Sequence, residues 1–122
     1  MNSSSQDIKL VHKGWGFEKW ITNSEKYCGK LLYFVKDKCC SYHYHKIKTE
    51  TFYLQSGSIK LLYGMNDDFS KASYTYLRPG DKFEIPPGMR HMMIAIEDSE
   101  LFEFSTQHFE AVSYTHLRAH ET

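Results

Sequence analysis

The chain has 122 residues, enough for one domain whose core needs no disulfide or metal to hold it together. Its 15 basic and 15 acidic residues balance, and no basic stripe alternates with aromatic residues, which argues against nucleic acid as a partner. The first residues lack the apolar core of a signal peptide, and no apolar run is long enough to span a membrane. We therefore expect a cytoplasmic protein with no membrane contact.

Short segments rich in Tyr, Phe, Ile, Leu and Thr alternate with turn signals of Gly, Pro, Asn and Asp, which predicts a series of β-strands. No long stretch holds a helical period. Evenly spaced short strands of this kind indicate an all-β fold, either a sandwich or a small antiparallel β-barrel. The predicted strands cover residues 31–35, 40–45, 51–55, 58–63, 73–77, 82–85, 91–96 and 100–105.

Three regions follow from this pattern. Residues 1–30 are predicted to be an N-terminal arm, which Trp15 and Trp20 pack over the barrel. Residues 31–110 are predicted to form the barrel itself. Residues 111–122 continue no earlier pattern and look like translated vector sequence, so we predict a non-native tail and leave it out of the fold prediction.

The alternation of side chains predicts an unusually apolar outer face. If His43 and His45 point inward, their strand neighbours point outward, and the outward positions are then largely aromatic or aliphatic. A second sheet or a loop could cover this face. We favour a homodimer interface instead, because Tyr and Met are enriched at such interfaces. The outward positions in question are Tyr42, Tyr44, Tyr53, Met92 and Ile94.

Two polar clusters carry side chains that bind divalent metals. His43 and His45 are two residues apart and so share one face of their strand, and Glu50 follows shortly after. His91 stands behind the turn Pro86-Pro87-Gly88, which stiffens the chain and aims that side chain. Three imidazoles and one carboxylate make a ligand set for a divalent transition metal: Zn, Mn, Fe, Ni, Co or Cu. The alternative is a hydrogen-bonded polar core without metal, although burying such groups unorganised costs roughly several kcal/mol.

Together the two clusters resemble the two motifs of the cupin superfamily, over residues 31–105. His43-x-His45-x4-Glu50-x6-Gly57 is similar to the first motif, and Gly80-x5-Pro86-x-Gly88-x2-His91 is similar to the second. Two positions depart from the pattern. Asp37 stands where the family usually has glycine, and Ala95 stands where it usually has asparagine. The resemblance implies a small antiparallel β-barrel, or jelly roll, that holds a metal inside and opens to a small-molecule substrate. Four protein ligands on an octahedral ion leave two positions open for substrate or water.

The surroundings of Glu50 also resemble the cupin region of type II mannose-6-phosphate isomerases. Lys48 lies two residues before Glu50 and Phe52 two residues after it, as in that enzyme group. We therefore interpret Lys48, Phe52 and Arg90 as substrate-binding residues, with the two cations facing the mouth to hold a phosphate. The alternative is that Lys48 and Arg90 are solvated surface cations.

Glu103 is the predicted catalytic acid or base. It alternates with Phe102 and Phe104 along a strand, so it could point into the barrel, or it could be an edge carboxylate in a salt bridge. The favoured function is a sugar or sugar-phosphate isomerase or epimerase, in which the metal binds neighbouring substrate oxygens and Glu103 moves the proton. An Fe(II) dioxygenase and a non-catalytic, metal-assisted carbohydrate-binding or sensing module are the alternatives.

Overall fold

The computed structural model describes residues 7–109 and, for the backbone alone, residues 113–117. Within these residues the chain is built from β-strands, with a single-turn 3-10 helix at Phe69–Lys71 and no α-helix. The all-β prediction is confirmed, and each predicted strand is present with ends that differ by up to three residues. The strands are β1 (Lys9–Lys13), β2 (Gly16–Asn23), β3 (Cys28–Phe34), β4 (Tyr42–His45), β5 (Glu50–Ser56), β6 (Ile59–Gly64), β7 (Ser73–Leu77), β8 (Lys82–Ile85), β9 (Arg90–Ala95), β10 (Ser99–Ser105) and β11 (Ser113–Leu117).

The strands form two sheets, and every strand pair is antiparallel. The larger sheet has the order β1-β2-β3-β10-β5-β8, and the smaller has the order β11-β4-β9-β6-β7. Side chains from both sheets join one hydrophobic core, which identifies the arrangement as a small jelly roll. No helix in residues 7–109 is long and apolar enough to cross a membrane. The buried core comprises Leu32, Phe34, Cys40, Tyr42, Phe52, Leu54, Ile59, Leu61, Leu77, Ile85, Met92, Met93, Ala95 and Leu101.

The N-terminal region is part of the larger sheet. β1 and β2 form a hairpin, and β2 pairs with β3 along most of its length. β3 begins at Cys28, inside the region predicted to be an arm. Trp15, in the hairpin turn, stacks on Phe34 with ring centroids 4.1 Å apart, so this tryptophan packs on the core as expected. The hairpin therefore extends the sheet that bears β5 and β10.

The C-terminal region also contributes a strand. β11 pairs with β4 at the edge of the smaller sheet, so leaving residues 111–122 out of the fold prediction missed one element. Residues 110–112 and 118–122 lie outside the described residues. The prediction that residues 111–122 are non-native stays a prediction.

The outer face of the smaller sheet is less exposed than the alternation predicted. Tyr42 and Met92 were expected to point outward, but they are 0% and 3% exposed. For Tyr42 the cause is the loop after β6: its hydroxyl donates to the carbonyl of Asn66 at 3.4 Å, and its ring meets Phe69 edge-on at 5.3 Å between centroids. A covering loop, the alternative to a partner chain, thus accounts for this part of the face. Tyr44 and Ile94 remain candidates on this face, whereas Tyr53 lies on β5 of the larger sheet, and the homodimer stays a prediction.

Two turn positions of the motifs show why particular residues stand there. Gly57 has φ +94°, and a Cβ at this position would overlap the Ser99 hydroxyl and the Asp98 carbonyl, so only glycine fits. Asp37 has φ 70° and is the one non-glycine residue in the described chain with positive φ. The glycine usual at this cupin position therefore has a physical reason, and aspartate takes its place because it tolerates the left-handed region better than most residues.

Candidate metal centre

Three histidines converge on one point between the sheets. His43 on β4 and His91 on β9 are direct register partners, so their side chains leave neighbouring strands side by side. Their ring centroids are 4.3 Å apart, and His45, two residues along β4, lies on the same face. One ligand nitrogen from each of the three rings can be chosen so that all lie within 4.8 Å of one another. This spacing suits coordination of a single ion.

Glu50 completes the cluster from the other sheet. It begins β5, and its side chain reaches across the core towards the histidines. Oε1 lies 3.3 Å from Nε2 of His91, and Oε2 lies 3.8 Å from Nε2 of His45. The four side chains predicted as ligands are therefore brought together, with three on one sheet and one on the facing sheet.

Backbone contacts fix the orientation of two of the rings. Nδ1 of His43 lies 2.9 Å from the carbonyl of Ser41, and Nδ1 of His91 lies 3.1 Å from the carbonyl of Met89. Because a carbonyl only accepts, each Nδ1 carries the proton and each Nε2 presents a lone pair to the centre. Outer hydrogen bonds of this kind are typical of metal-binding histidines.

The centre contains an unsatisfied pair of acceptors. Nε2 of His91 and Oε1 of Glu50 are fully buried and make no hydrogen bond within the described residues, although they lie 3.3 Å apart. A lone pair facing a carboxylate oxygen at this distance is repulsive, and a buried polar atom without a partner is costly. A cation between them removes both penalties. The donor set and these orphaned atoms fit a divalent transition metal.

The protonation states of the cluster also suit metal binding. Burial and the neighbouring His91 lower the pKa of His43 to about 3, and burial lowers the pKa of His45 to about 4. Burial alone would raise the pKa of Glu50, but His91, Lys48 and His45 outweigh it and hold that pKa well below its usual range. At neutral pH the cluster therefore has neutral His43 and His45 imidazoles and a carboxylate, the forms that bind metal.

Lys48 does not face the mouth, which corrects the sequence-based interpretation. Its side chain is 3% exposed, and its ammonium contacts Glu103 Oε2 at 2.7 Å, Glu50 Oε2 at 3.3 Å and Nδ1 of His108 at 2.9 Å. Burial would lower the pKa of Lys48, but the two carboxylates raise it above the usual value. The three N–H groups of a charged ammonium thus meet three acceptors, and Lys48 is a buried structural cation.

Glu103 lies beside Lys48 and does not line the cavity. Its carboxylate is 4% exposed and also accepts a hydrogen bond from the Ser105 hydroxyl at 3.1 Å. Burial and the charge of Glu50 raise the pKa of Glu103 above its usual range. Glu103 is thus buried in the barrel, as the first interpretation expected, and it forms a salt bridge, as the alternative expected.

The other two predicted substrate-binding residues have different surroundings. Phe52 is buried, lines the cavity and lies 5.9 Å from the His91 ring between centroids. Arg90 does not line the cavity: its Nε contacts Asp67 at 2.8 Å, and its guanidinium carbon sits 3.7 Å from the centroid of the Tyr44 ring. Arg90 is therefore engaged on the outer side of β9, away from the ligands.

A cavity of about 250 Å³ adjoins the four predicted metal ligands. One part of its wall is apolar and the other carries charged and polar groups, among them side chains that the sequence analysis did not assign to the site. His108 gave no signal because it lies after the last predicted strand and belongs to no motif. Lys13 and Glu18 were missed because β1 and β2 were not predicted. The lining residues are Lys13, Trp15, Glu18, Leu32, Phe34, Cys40, Ser41, His43, His45, Glu50, Phe52, His91, Met93 and His108.

His108 is held at the cavity wall by three neighbours. Its backbone N–H donates to the Asn23 side chain at 3.0 Å, and its carbonyl accepts from the same side chain at 3.3 Å. Its ring meets Trp20 edge-on at 5.1 Å between centroids. Burial and the cations Lys30 and Lys48 lower the pKa of His108 to about 3, so the ring is neutral. Because Lys48 donates to Nδ1, the ring proton resides on Nε2.

Comparisons with known proteins agree with this architecture. Among solved structures, KdgF from Halomonas sp. matches with a TM-score of 0.71 and 17% identity, covering 90% of this chain and 94% of that protein. Oxalate decarboxylase from Bacillus subtilis matches with a TM-score of 0.76 and 18% identity over 89% of this chain, and CapF with 0.78 and 15% over 94%. The chain spans only 30% of oxalate decarboxylase and 36% of CapF.

At these identities the structural matches concern the fold alone. No curated protein sequence gives a significant match. A sequence model of the cupin family matches residues 33–118, which include both motifs and all four predicted ligands. Because this match spans most of the chain and the fold is the same, the chain belongs to the cupin family.

Proposed function

We propose that this cupin is a metal-dependent enzyme that isomerises or epimerises a small sugar or sugar phosphate. The observation that carries the proposal is the placement of a carboxylate, Glu18, and of the N–H of His108 in the cavity wall beside the predicted metal ligands. A module that only binds needs a metal and a cavity, but it does not need proton-carrying groups coupled to them. Proton transfer between neighbouring atoms is the chemistry of isomerisation.

The metal would be held by Nε2 of His43, His45 and His91 and by the Glu50 carboxylate. A divalent ion there would polarise carbonyl and hydroxyl oxygens of a bound sugar as a Lewis acid. The ligand set accepts Mn, Fe, Zn, Ni or Co. Mn(II) centres are described for the structurally similar oxalate decarboxylase of Bacillus subtilis, which makes Mn(II) the first ion to test.

The cavity wall offers a base for the proton transfers and a hydrogen-bond donor for the ligand. Glu18 lines the cavity without being a predicted ligand, and it is the carboxylate we propose to take the proton from the sugar carbon and return it to the neighbouring one. His108 presents an N–H through Nε2, which can donate a hydrogen bond to an oxygen of the bound sugar. Glu103 does not reach the cavity, so we assign it a positioning role: it holds Lys48, which in turn fixes the tautomer of His108.

Solvent exchange tests this proposal. Protein loaded with Mn(II) is incubated in deuterated water with aldose and ketose phosphates, and deuterium at C1 and C2 is followed by NMR. We expect exchange in the wild type and in Glu25→Gln, an exposed control. In Glu18→Gln we expect the exchange rate to fall by about 100-fold or more, because a positioned base typically contributes that much. Metal-loaded protein that exchanges no carbon-bound proton with any of these sugars would contradict the proposal.

The apolar part of the cavity favours an Fe(II) dioxygenase as a second candidate. Trp15, Leu32, Phe34 and Met93 line the space beside the ligands, and an apolar wall suits the uptake of O₂ and the exclusion of water. Oxygen consumption by Fe(II)-loaded protein with catechol, thiol or diketone substrates would identify this activity. Stabilisation by sugars with neither exchange nor oxygen uptake would identify a binding module instead.

A further inference from the structure

Two cavity-lining side chains offer hydrogen-bond donors that have no acceptor among the described residues. Lys13, at the end of β1, has no ion-pair partner in residues 7–109. The Nε2 proton of His108 likewise has no acceptor in the part of the chain that the structure describes. Lys13 is exposed at the rim, whereas His108 is anchored in the wall by Asn23, Trp20 and Lys48. A ligand entering the cavity therefore meets one exposed cation and one anchored N–H group.

The negative charges of the cavity are already engaged. Glu50 lies 3.3 Å from the buried ammonium of Lys48. Glu18 accepts a hydrogen bond from Nε1 of Trp20 at 2.7 Å and lies 3.7 Å from the ammonium of Lys30, which is 2% exposed. Each carboxylate in the wall thus has a buried cation beside it, so neither needs Lys13. Lys13 is then the charged side chain of the wall that has no opposite charge beside it in residues 7–109, and its charge can attract an anion.

We propose that the ligand of this cavity is a single sugar unit carrying an oxyanion, either a carboxylate or a phosphate, and that Lys13 and His108 bind that anionic group. The class of sugar rests on the proposed function, whereas the preference for an anion rests on these two side chains and needs no metal. A volume of about 250 Å³ lies below the roughly 300–1,000 Å³ of pockets that hold drug-sized ligands, which limits the ligand to about one sugar unit.

Binding measurements with matched sugars test this inference. Isothermal titration calorimetry compares D-gluconate and D-glucose 6-phosphate with the neutral probes D-glucose and sorbitol, on Mn(II)-loaded protein and on protein stripped of metal by a chelator. We expect at least one of the two anions to bind about tenfold more tightly than either neutral probe in both forms, because hydrogen bonds to charged groups are worth about this much or more. Comparison of the gluconate and phosphate arms identifies which oxyanion the site prefers.

Variants then connect the preference to the two side chains. Lys13→Gln should weaken anion binding about two- to fivefold, the range of exposed ion pairs, and should leave neutral sugars unchanged. Lys26→Gln, an exposed lysine away from the cavity, is the matched control and should change nothing. His108→Phe should weaken anion binding about tenfold. His108→Gln should retain most of it, because the amide can accept from Lys48 and still donate to the ligand.

Three results would overturn the inference: glucose binding as tightly as the anions, Lys13→Gln behaving like Lys26→Gln, or no probe binding at all. Lys13 is exposed, so its variant tests the idea even if His108→Phe does not fold. Anion binding that persists without deuterium exchange would reject the proposed isomerisation and leave this inference standing. Deuterium exchange on neutral sugars without a preference for anions would support the proposed isomerisation and reject this inference.

Discussion

Replacing Lys48 by methionine should strongly destabilise the protein. Methionine has a similar length but removes the charge, which leaves the Glu50 and Glu103 carboxylates buried at 2% and 4% exposure without the cation between them. Removing one partner of a buried ion pair costs about 3–5 kcal/mol, and that is a large share of the roughly 5–15 kcal/mol that stabilises a domain. With a urea slope of about 2 kcal/mol/M, the unfolding midpoint should fall by about 1.5–2.5 M.

The assay is equilibrium urea unfolding followed by fluorescence, with Lys26→Met as an exposed control that should stay within about 0.5 kcal/mol of wild type. The double variant Lys48→Met/Glu103→Gln should recover part of the loss, because the glutamine leaves one buried charge fewer. A loss below about 1 kcal/mol for Lys48→Met, or no recovery in the double variant, would refute the picture of Lys48 as a buried cation bridging two carboxylates.

Two further predictions concern the turn before β4 and the response to acid. Asp37→Gly should raise the free energy of unfolding by up to about 1 kcal/mol, because glycine adopts φ 70° without strain. Lys38→Gly, at a residue outside the left-handed region, should lower it. Thermal melts of both variants check this, and a loss of stability in Asp37→Gly would contradict it. Metal-free protein should lose stability as the pH falls from about 6.5 to 5, by about 1–2 kcal/mol per histidine, because unfolding lets His43 and His45 take up protons that their folded pKa values of about 3 and 4 exclude. The raised pKa of Glu103 changes stability in the opposite direction in both proteins. The measurement is therefore the free energy of unfolding as a function of pH, compared between wild type and His43→Gln. Equal pH slopes in the two proteins would contradict the prediction.

The convergence of the four predicted ligands was predictable because much of it depends on local rules. Residues two apart on a strand share a face, so His43 and His45 had to point the same way, and the glycine and proline turns delimited the strands that carry Glu50 and His91. The closeness of His43 and His91 is then a matter of sheet register, which the motif order implies for a jelly roll. These features follow from short stretches of chain, and the sequence predicted them.

The environment of Lys48 was not predictable in the same way. Its burial depends on Glu103 and His108, which lie on or after β10, more than fifty residues along the chain. A lysine taken alone is usually exposed, so the sequence favoured a cation at the mouth. The prediction that Tyr42 points outward to an exposed face was wrong for a similar reason. The loop of residues 66–69 covers it, and that loop has no periodic sequence pattern from which its position could be predicted. Long-range contacts decided each of these cases.

The hairpin of β1 and β2 was missed because its polar composition does not alternate sharply. Only its pairing with β3 makes it a strand pair, and burial of its residues is intermediate or low. The cavity residues Lys13 and Glu18 therefore became visible only when the sheet was assembled.

The metal content of purified protein tests the central claim most directly. After equilibration with Mn(II) and removal of free ion, wild type and the exposed control His12→Ala should each retain about one ion per chain, as expected for a single four-ligand site. His43→Ala and His91→Ala, with folding confirmed by circular dichroism, should retain far less, because each variant leaves only three of the four predicted ligands. Equal occupancy in all four proteins would contradict a metal centre built from these side chains.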